Sequence, residues 1–174
     1  MPDLISVVGG ECTGKSTLAE ALGVHLPAIV ISEFLREWVE RSGRVPLPAE
    51  QAAVMAQHRD AEVRALRQAD HSGLRWAVSD SGPLMTAVYS IQYYDDDSLL
   101  PQALEWTALS NTVVWCQDDF PWHPDPQRDG SHARKTSQQI LASIFAEHPR
   151  LPVLRVCGSI DDRVETVLHE TISR

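Results

Sequence analysis

The sequence predicts an α/β fold, a mainly parallel five-stranded sheet flanked by helices, and three observations carry that prediction. There are five short runs rich in apolar and β-branched residues, stretches of helical spacing between them, and a glycine-rich turn directly after the first run. The runs are Leu4 to Val8, Ala28 to Ser32, Trp76 to Asp80, Thr112 to Cys116 and Val153 to Val156, and they read as buried strands. Leu84, Ala87, Val88 and Ile91 then recur at i, i+3, i+4 and i+7, and Ile140, Leu141, Ile144 and Phe145 keep helical spacing ahead of the fifth run. A long helix before the third run carries Arg59, Arg64 and Arg67 with Asp60 and Glu62, the pattern of an ordinary charged face. Asp95, Asp96 and Asp97 precede the helical run Leu99 to Leu109 and read as its solvated start, not as a metal site. The last helix should begin near Ser159, because Ser159 with Asp162 three residues on is a capping-box pattern ahead of Val164, Val167 and Leu168. Strand and helix alternate from end to end, so right-handed crossovers are expected and ligands belong at the carboxyl ends of the strands.

A chain of 174 residues, 43% hydrophobic and 22% charged, fits one domain over residues 1–174 and buries enough surface to fold without a staple. The Pro-rich segments Arg44 to Pro48 and Phe120 to Pro126 are short enough to be loops, and no repeat interrupts the chain. Cys12, Cys116 and Cys157 are an odd number with no C-x-x-C pair, and the seven histidines show no H-x-x-x-H spacing. Neither a disulfide framework nor a zinc site follows, and a reducing compartment is expected. A net charge of -9 argues against a nucleic-acid surface. No apolar run approaches the roughly 18 residues of a membrane span. Met1-Pro2-Asp3 lacks the basic start of a signal peptide, so no membrane contact and a cytoplasmic location are expected.

Gly9-Gly10-Glu11-Cys12-Thr13-Gly14-Lys15-Ser16 fits the phosphate-loop pattern G-x-x-x-x-G-K-[ST] and runs straight into the helical stretch Thr17 to Leu22. Glycines let the backbone turn its N–H groups inward, and the helix N-terminus adds its positive end, so Gly10, Glu11, Cys12, Thr13, Gly14, Lys15, Ser16 and Thr17 are expected to hold the phosphates of ATP. Lys15 is one of only two lysines, the other being Lys135; it would reach the β- and γ-phosphates, while the Ser16 hydroxyl would bind Mg²⁺. Cys12 would make the loop sensitive to alkylation. The chain has no Asn-Lys-x-Asp stretch to read guanine and no Leu-Ser-Gly-Gly-Gln signature, and it is short for the helical lid of ring-forming ATPases, which leaves a small-molecule kinase as the better fit.

Such a kinase needs a metal-side carboxylate, an acceptor site and a cationic lid. Asp80 ends the third strand at the phosphate-loop edge, where it would serve Mg²⁺; the alternative is a helix N-cap, since Ser81, Gly82 and Pro83 follow. Glu33 and Arg36 stand one helical turn apart after the second strand and would face the acceptor, Glu33 to accept its hydroxyl proton and Arg36 to hold its anionic or phosphate side, or form an i, i+3 surface pair. Either Glu33 or Asp80 would be the base. The polar loop from Phe120 to Lys135 reads as a lid, with Arg128 and Arg134 as cations closing on the transferring phosphoryl.

Taken together, the phosphate loop, Glu33-x-x-Arg36-Glu37, Asp80 and Pro121-Trp122-x-x-Asp125-x-x-Arg128-Asp129 resemble the ribosylnicotinamide kinase domain of bifunctional NAD-biosynthesis proteins and related stand-alone ATPase/kinase domains. The resemblance covers nearly the whole chain. It implies the P-loop nucleoside triphosphate hydrolase/kinase fold, ATP with Mg²⁺, and transfer of the γ-phosphoryl to the 5′-hydroxyl of nicotinamide riboside, with a kinase of another nucleoside, nucleotide or small alcohol, or a regulatory NTPase, as alternatives. It also implies acceptor contacts by Glu33, Arg36, Asp80, Trp122 and Asp125. Trp122 could hold a pyridinium by cation–π contact or anchor the lid. One departure is Gly82, where the family pattern often has a second Asp.

Overall fold

Five parallel strands form one sheet in the order β2-β3-β1-β4-β5 in the computed structural model, which describes residues 1–121 and 131–172. The strands are β1 (Asp3–Val8), β2 (Ala28–Ile31), β3 (Trp76–Asp80), β4 (Thr112–Cys116) and β5 (Val153–Val156). The helices are α1 (Lys15–His25), α2 (Phe34–Ser42), α3 (Pro48–His71), α4 (Gly82–Tyr94), α5 (Leu100–Thr107), α6 (Ser131–Glu147) and α7 (Ile160–Ile172). Every strand pair is parallel, and the register sets Val7 of β1 opposite Asp80 of β3. The turn leaving β1 and the end of β3 therefore share one edge of the sheet.

Both faces of the sheet are covered, which is why the strands read as continuous apolar runs. Ile5, Val7, Trp76, Val78, Val114 and Val156 pack against Leu18 and Leu22 of α1 and Val164 and Val167 of α7. On the other face Val113 and Trp115 meet Leu84, Met85 and Val88 of α4 and Leu141, Ile144 and Phe145 of α6. Leu4, Ile31 and Ala77 are covered by Ala65 of α3. Helix α4 is buried from Gly82 to Ser90, as its run of small and apolar residues requires. The Ser159–Asp162 capping box forms in both directions: Ser159 N–H donates to Asp162 Oδ2 at 2.9 Å, and Asp162 N–H donates to Ser159 Oγ at 3.2 Å.

Three expectations are corrected. The charged face of α3 is not uniform: Asp60, Arg64 and Arg67 are exposed, but Glu62 is buried, with Arg59 donating to it at 2.9 Å and the Ser79 hydroxyl at 2.8 Å. Burial is tolerated because the carboxylate has both a cation and a hydroxyl donor. The expected lid does not stay a loop to Lys135: α6 begins at Ser131, so Arg134 and Lys135 lie in its first turns, where buried Ala133 packs. Helix α5, Leu100–Thr107, is shorter than the run Leu99 to Leu109, and the acidic run before it forms the turn from α4, with Asp95 in the left-handed region (φ 54°) and the Ser98 N–H donating to Asp96 Oδ1. Trp122, Asp125 and Arg128 lie outside the described residues. Among the described residues, no helix is long and apolar enough to cross a membrane.

Candidate active site

The turn after β1 closes on itself. Thr13 Oγ1 and Lys15 Nζ both donate to the Gly10 carbonyl, at 2.8 and 2.9 Å, and α1 starts at Lys15 with Gly14 in the left-handed region (φ 79°). Only glycine takes that φ without strain, and the ring of Phe120 lies 2.8 Å from where a Cβ on Gly14 would stand. Gly10 is equally enclosed, since a Cβ there would meet the Arg134 carbonyl at 2.7 Å. The first turn of α6 thus packs against the loop ahead of α1. This brings Arg134 to the phosphate loop, with its Nη1 donating to the Phe120 carbonyl at 2.9 Å.

Asp80 is buried beside the loop and takes a hydrogen bond from the Ser16 hydroxyl. Helix α4 has no side-chain cap, so Asp80 is not spent as an N-cap. Burial raises its carboxyl above the ordinary range, against the Ser16 hydrogen bond and the Lys15 charge, and the Glu33 carboxylate raises it further. The Ser16 hydroxyl and Asp80 carboxylate form an all-oxygen donor pair, which suits a hard cation such as Mg²⁺ that takes its other ligands from phosphates and water. Among the described residues no cluster of three or more His, Cys, Asp or Glu could hold a metal by itself.

A cleft of about 910 Å³ runs from the phosphate loop to a second wall. Glu11, Cys12, Thr13, Gly14, Lys15, Ser16 and Thr17 line one end, with Phe120, Pro121 and Ile160. Glu33, Arg36 and Glu40 line the other, with Leu35, Val39, Gln51, Tyr89, Tyr93 and Tyr94. Glu33 and Arg36 form the i, i+3 pair at 3.3 Å, and both line the cleft. Helix α2 buries none of its residues fully: Leu35 and Val39 line the cleft, and Leu35 also packs against the core. The Tyr89 phenol is pushed well above its usual value by burial and then by Glu33 and Glu11, which keeps it a neutral donor among carboxylates.

The tyrosines are site residues that the sequence reasoning missed. Tyr89 and Tyr93 are one helical turn apart with ring centroids 6.3 Å apart, a spacing visible in the sequence but shared by core pairs. Arg163 was missed as well, and it is fully buried. Its guanidinium donates to the carbonyls of Thr13 (2.6 Å), Gly158 (3.1 Å) and Gln117 (3.3 Å) and pairs with Asp119. It also stacks 4.3 Å from the centre of Phe120. One side chain thereby ties the phosphate loop to the chain leaving β4 and to the turn before α7. A capping box at Asp162 was the only nearby signal, and it made Arg163 look like a solvated charge.

The comparisons with known proteins agree with this geometry. A family model described as an AAA domain, AAA_28, matches residues 4–163. No curated protein matches the sequence. Among solved structures, NadR protein in complex with NR is similar with a TM-score of 0.77 at 19% identity, over 97% of this chain and 50% of that one. Deoxyadenosine kinase from M. mycoides with bound dATP follows at 0.64 and 14%, over 97% and 98% of the two chains. Thymidylate kinase from Ehrlichia chaffeensis gives 0.62 and 15%, over 99% and 97%. This chain spans about half the length of the NadR chain it matches. At these identities the likeness is one of fold: a five-stranded parallel sheet with flanking helices, as in P-loop kinases. The family match, the phosphate-loop geometry and the sheet order agree: the chain belongs to the AAA_28 family of AAA domains and has the P-loop kinase fold.

Proposed function

We propose that this protein is an ATP-dependent kinase that transfers the γ-phosphoryl to the 5′-hydroxyl of nicotinamide riboside. The observation that carries the proposal is the polarity of the cleft. One end is a phosphate loop, and the other combines Glu33, Glu40 and Tyr89 with, among the described residues, one cation, Arg36, already paired with Glu33. An acceptor bearing a phosphate would meet net negative charge there, whereas a cationic ring would be favoured by the carboxylates and by the tyrosine faces. The similar NadR structure is a complex with NR, which supports the same choice.

In this reading Lys15 and the loop amides hold the phosphates, and Arg134, packed against Gly10 of the loop, would act on the transferring group, a role the sequence also gives Arg128, which lies outside the described residues. Ser16 and Asp80 would hold Mg²⁺, which when bound neutralises charge between the β- and γ-phosphates. With Asp80 assigned to the metal, Glu33, which lines the cleft, would accept the acceptor's hydroxyl proton. The bond formed joins the 5′-oxygen to the γ-phosphorus, the bond broken joins that phosphorus to the β–γ bridging oxygen, and ADP leaves with the electron pair. Trp122 and Asp125 are assigned to the acceptor by the family resemblance.

The test is ADP formation with ATP and Mg²⁺ against nicotinamide riboside, common nucleosides and nucleoside monophosphates. Selective turnover with nicotinamide riboside supports the proposal. Turnover with another nucleoside keeps the kinase and changes its substrate; preference for a monophosphate contradicts the charge argument; ATP binding without acceptor stimulation favours a regulatory NTPase.

A further inference from the structure

We propose that a buried hydrogen-bond chain behind the cleft, His58–Ser79–Glu62–Arg59, acts as a positioning device that sets Asp80 relative to Ser16 and Glu33. The proposal rests on the reading of Asp80 as the metal-side carboxylate. Ser79 stands at a branch point. It is the last residue of β3 paired with β2, opposite Ile31; beyond it β2 departs toward Glu33, while β3 continues by one residue, paired only with β1, to Asp80. The Ser79 side chain lies on the face covered by α3, where its hydroxyl donates to Glu62 Oε1 at 2.8 Å and contacts His58 Nε2 at 2.9 Å. A hydroxyl has one proton, and it goes to Glu62, so His58 Nε2 must be the protonated nitrogen and donate to Ser79. Arg59 closes the chain on Glu62 Oε2 at 2.9 Å.

The chain reaches the segments that carry Glu33 and Asp80. The His58 ring meets Phe34, the residue after Glu33, edge-on with centroids 6.4 Å apart. On the other side Glu62 Oε1 lies 3.6 Å from where a Cβ on Gly82 would stand, under the turn Asp80-Ser81-Gly82. Ser81 holds φ 72° in that turn, a conformation a serine keeps only where its surroundings impose it. Ser79, Glu62 and His58 are all buried, so the two bonds of Ser79 do not compete with water, and the Arg59–Glu62 pair is partly buried. Helix α3 therefore fixes, through one serine, where the two acidic segments part. None of the four residues lines the cleft, and their side chains bond to one another behind it, so they are positioning and not catalytic residues.

The test compares binding of a non-hydrolysable ATP analogue with and without Mn²⁺, by calorimetry, in the full chain and in Ser79→Ala, Glu62→Gln, Asp80→Asn and Thr107→Val. Thr107→Val removes a buried hydroxyl bonded to the Ala103 carbonyl within α5 and controls for stability loss alone. The expected result is a roughly tenfold loss of the Mn²⁺-dependent gain in Ser79→Ala and Glu62→Gln, the scale on which residues that orient a metal ligand act, with metal-free binding and the Thr107→Val gain unchanged. If Ser79→Ala fails to fold, the isosteric Glu62→Gln decides. A lost gain in Asp80→Asn beside an unchanged gain in the folded Ser79 and Glu62 variants overturns the inference alone. An unchanged gain in Asp80→Asn overturns the metal-side reading and the inference with it.

Discussion

Replacing Arg163 with Met keeps the aliphatic stem in place and removes only the guanidinium, so its cost can be worked from the bonds lost. Four acceptors lose their donor: the carbonyls of Thr13, Gly158 and Gln117 and the carboxylate of Asp119. A buried acceptor left without a partner costs about 1–3 kcal/mol. The Thr13 bond is buried, whereas those to Gly158 and Gln117 are partly buried and water can replace them in part. Asp119 has a side chain 37% exposed and keeps the Gly158 N–H at 2.5 Å, so it rehydrates readily. The sum is about 3–5 kcal/mol, on the scale of breaking one side of a buried ion pair. For a chain of this length that lowers Tm by roughly 6–20 °C. Urea unfolding measures the loss, and nucleotide titration well below Tm measures its functional share, since Thr13 and Phe120 both line the cleft. A loss below about 1 kcal/mol with unchanged nucleotide affinity would refute the view that Arg163 ties the phosphate loop to the chain leaving β4.

Lys15→Ala should fold and lose roughly 100-fold or more in turnover, as removal of one preorganised phosphate-binding donor does, and a folded variant with full activity would sink the site. Gly14→Ala forces a side chain into φ 79° against the Phe120 ring and should weaken nucleotide binding more than it weakens the fold, read by calorimetry beside urea unfolding. Burial lowers His58 from 6.5 to about 4, so the unfolded chain takes up the proton first. Its contribution is complete above about pH 6.5 and declines as pH falls toward 4, reaching about 2 kcal/mol lost at pH 5. His58→Gln should flatten that dependence in unfolding curves at pH 7 and pH 5; equal slopes would contradict it.

The sheet was legible to within a residue at each strand end because parallel strands buried on both faces leave an unbroken apolar signature, and the phosphate loop because its spacing leaves few alternatives. Ser159 and Asp162 were legible as a local cap for the same reason: both partners lie within one turn. Glu62 and Arg163 were not. A charge at helical spacing looks solvated unless its partner is known, and the partners of Arg163 include Thr13, 150 residues away. The tyrosine wall failed differently, since an i, i+4 aromatic pair carries no sign of whether its face meets a core or a cleft. Residues 131–135 read as loop because polar composition outweighed their helix propensity, which the contact of Arg134 with Gly10 favours in the fold.

Every role proposed for the cleft depends on transfer of a phosphoryl group from ATP to a nucleoside hydroxyl within it. Mass spectrometry of the products formed from ATP, Mg²⁺ and nicotinamide riboside, by the wild-type protein and by Lys15→Ala, observes that transfer itself. The expected product is a riboside that has gained one phosphoryl group, in step with ADP, and neither product should rise above background in the variant. ADP without a phosphorylated riboside, or equal yields from the two proteins, would contradict the proposed reaction.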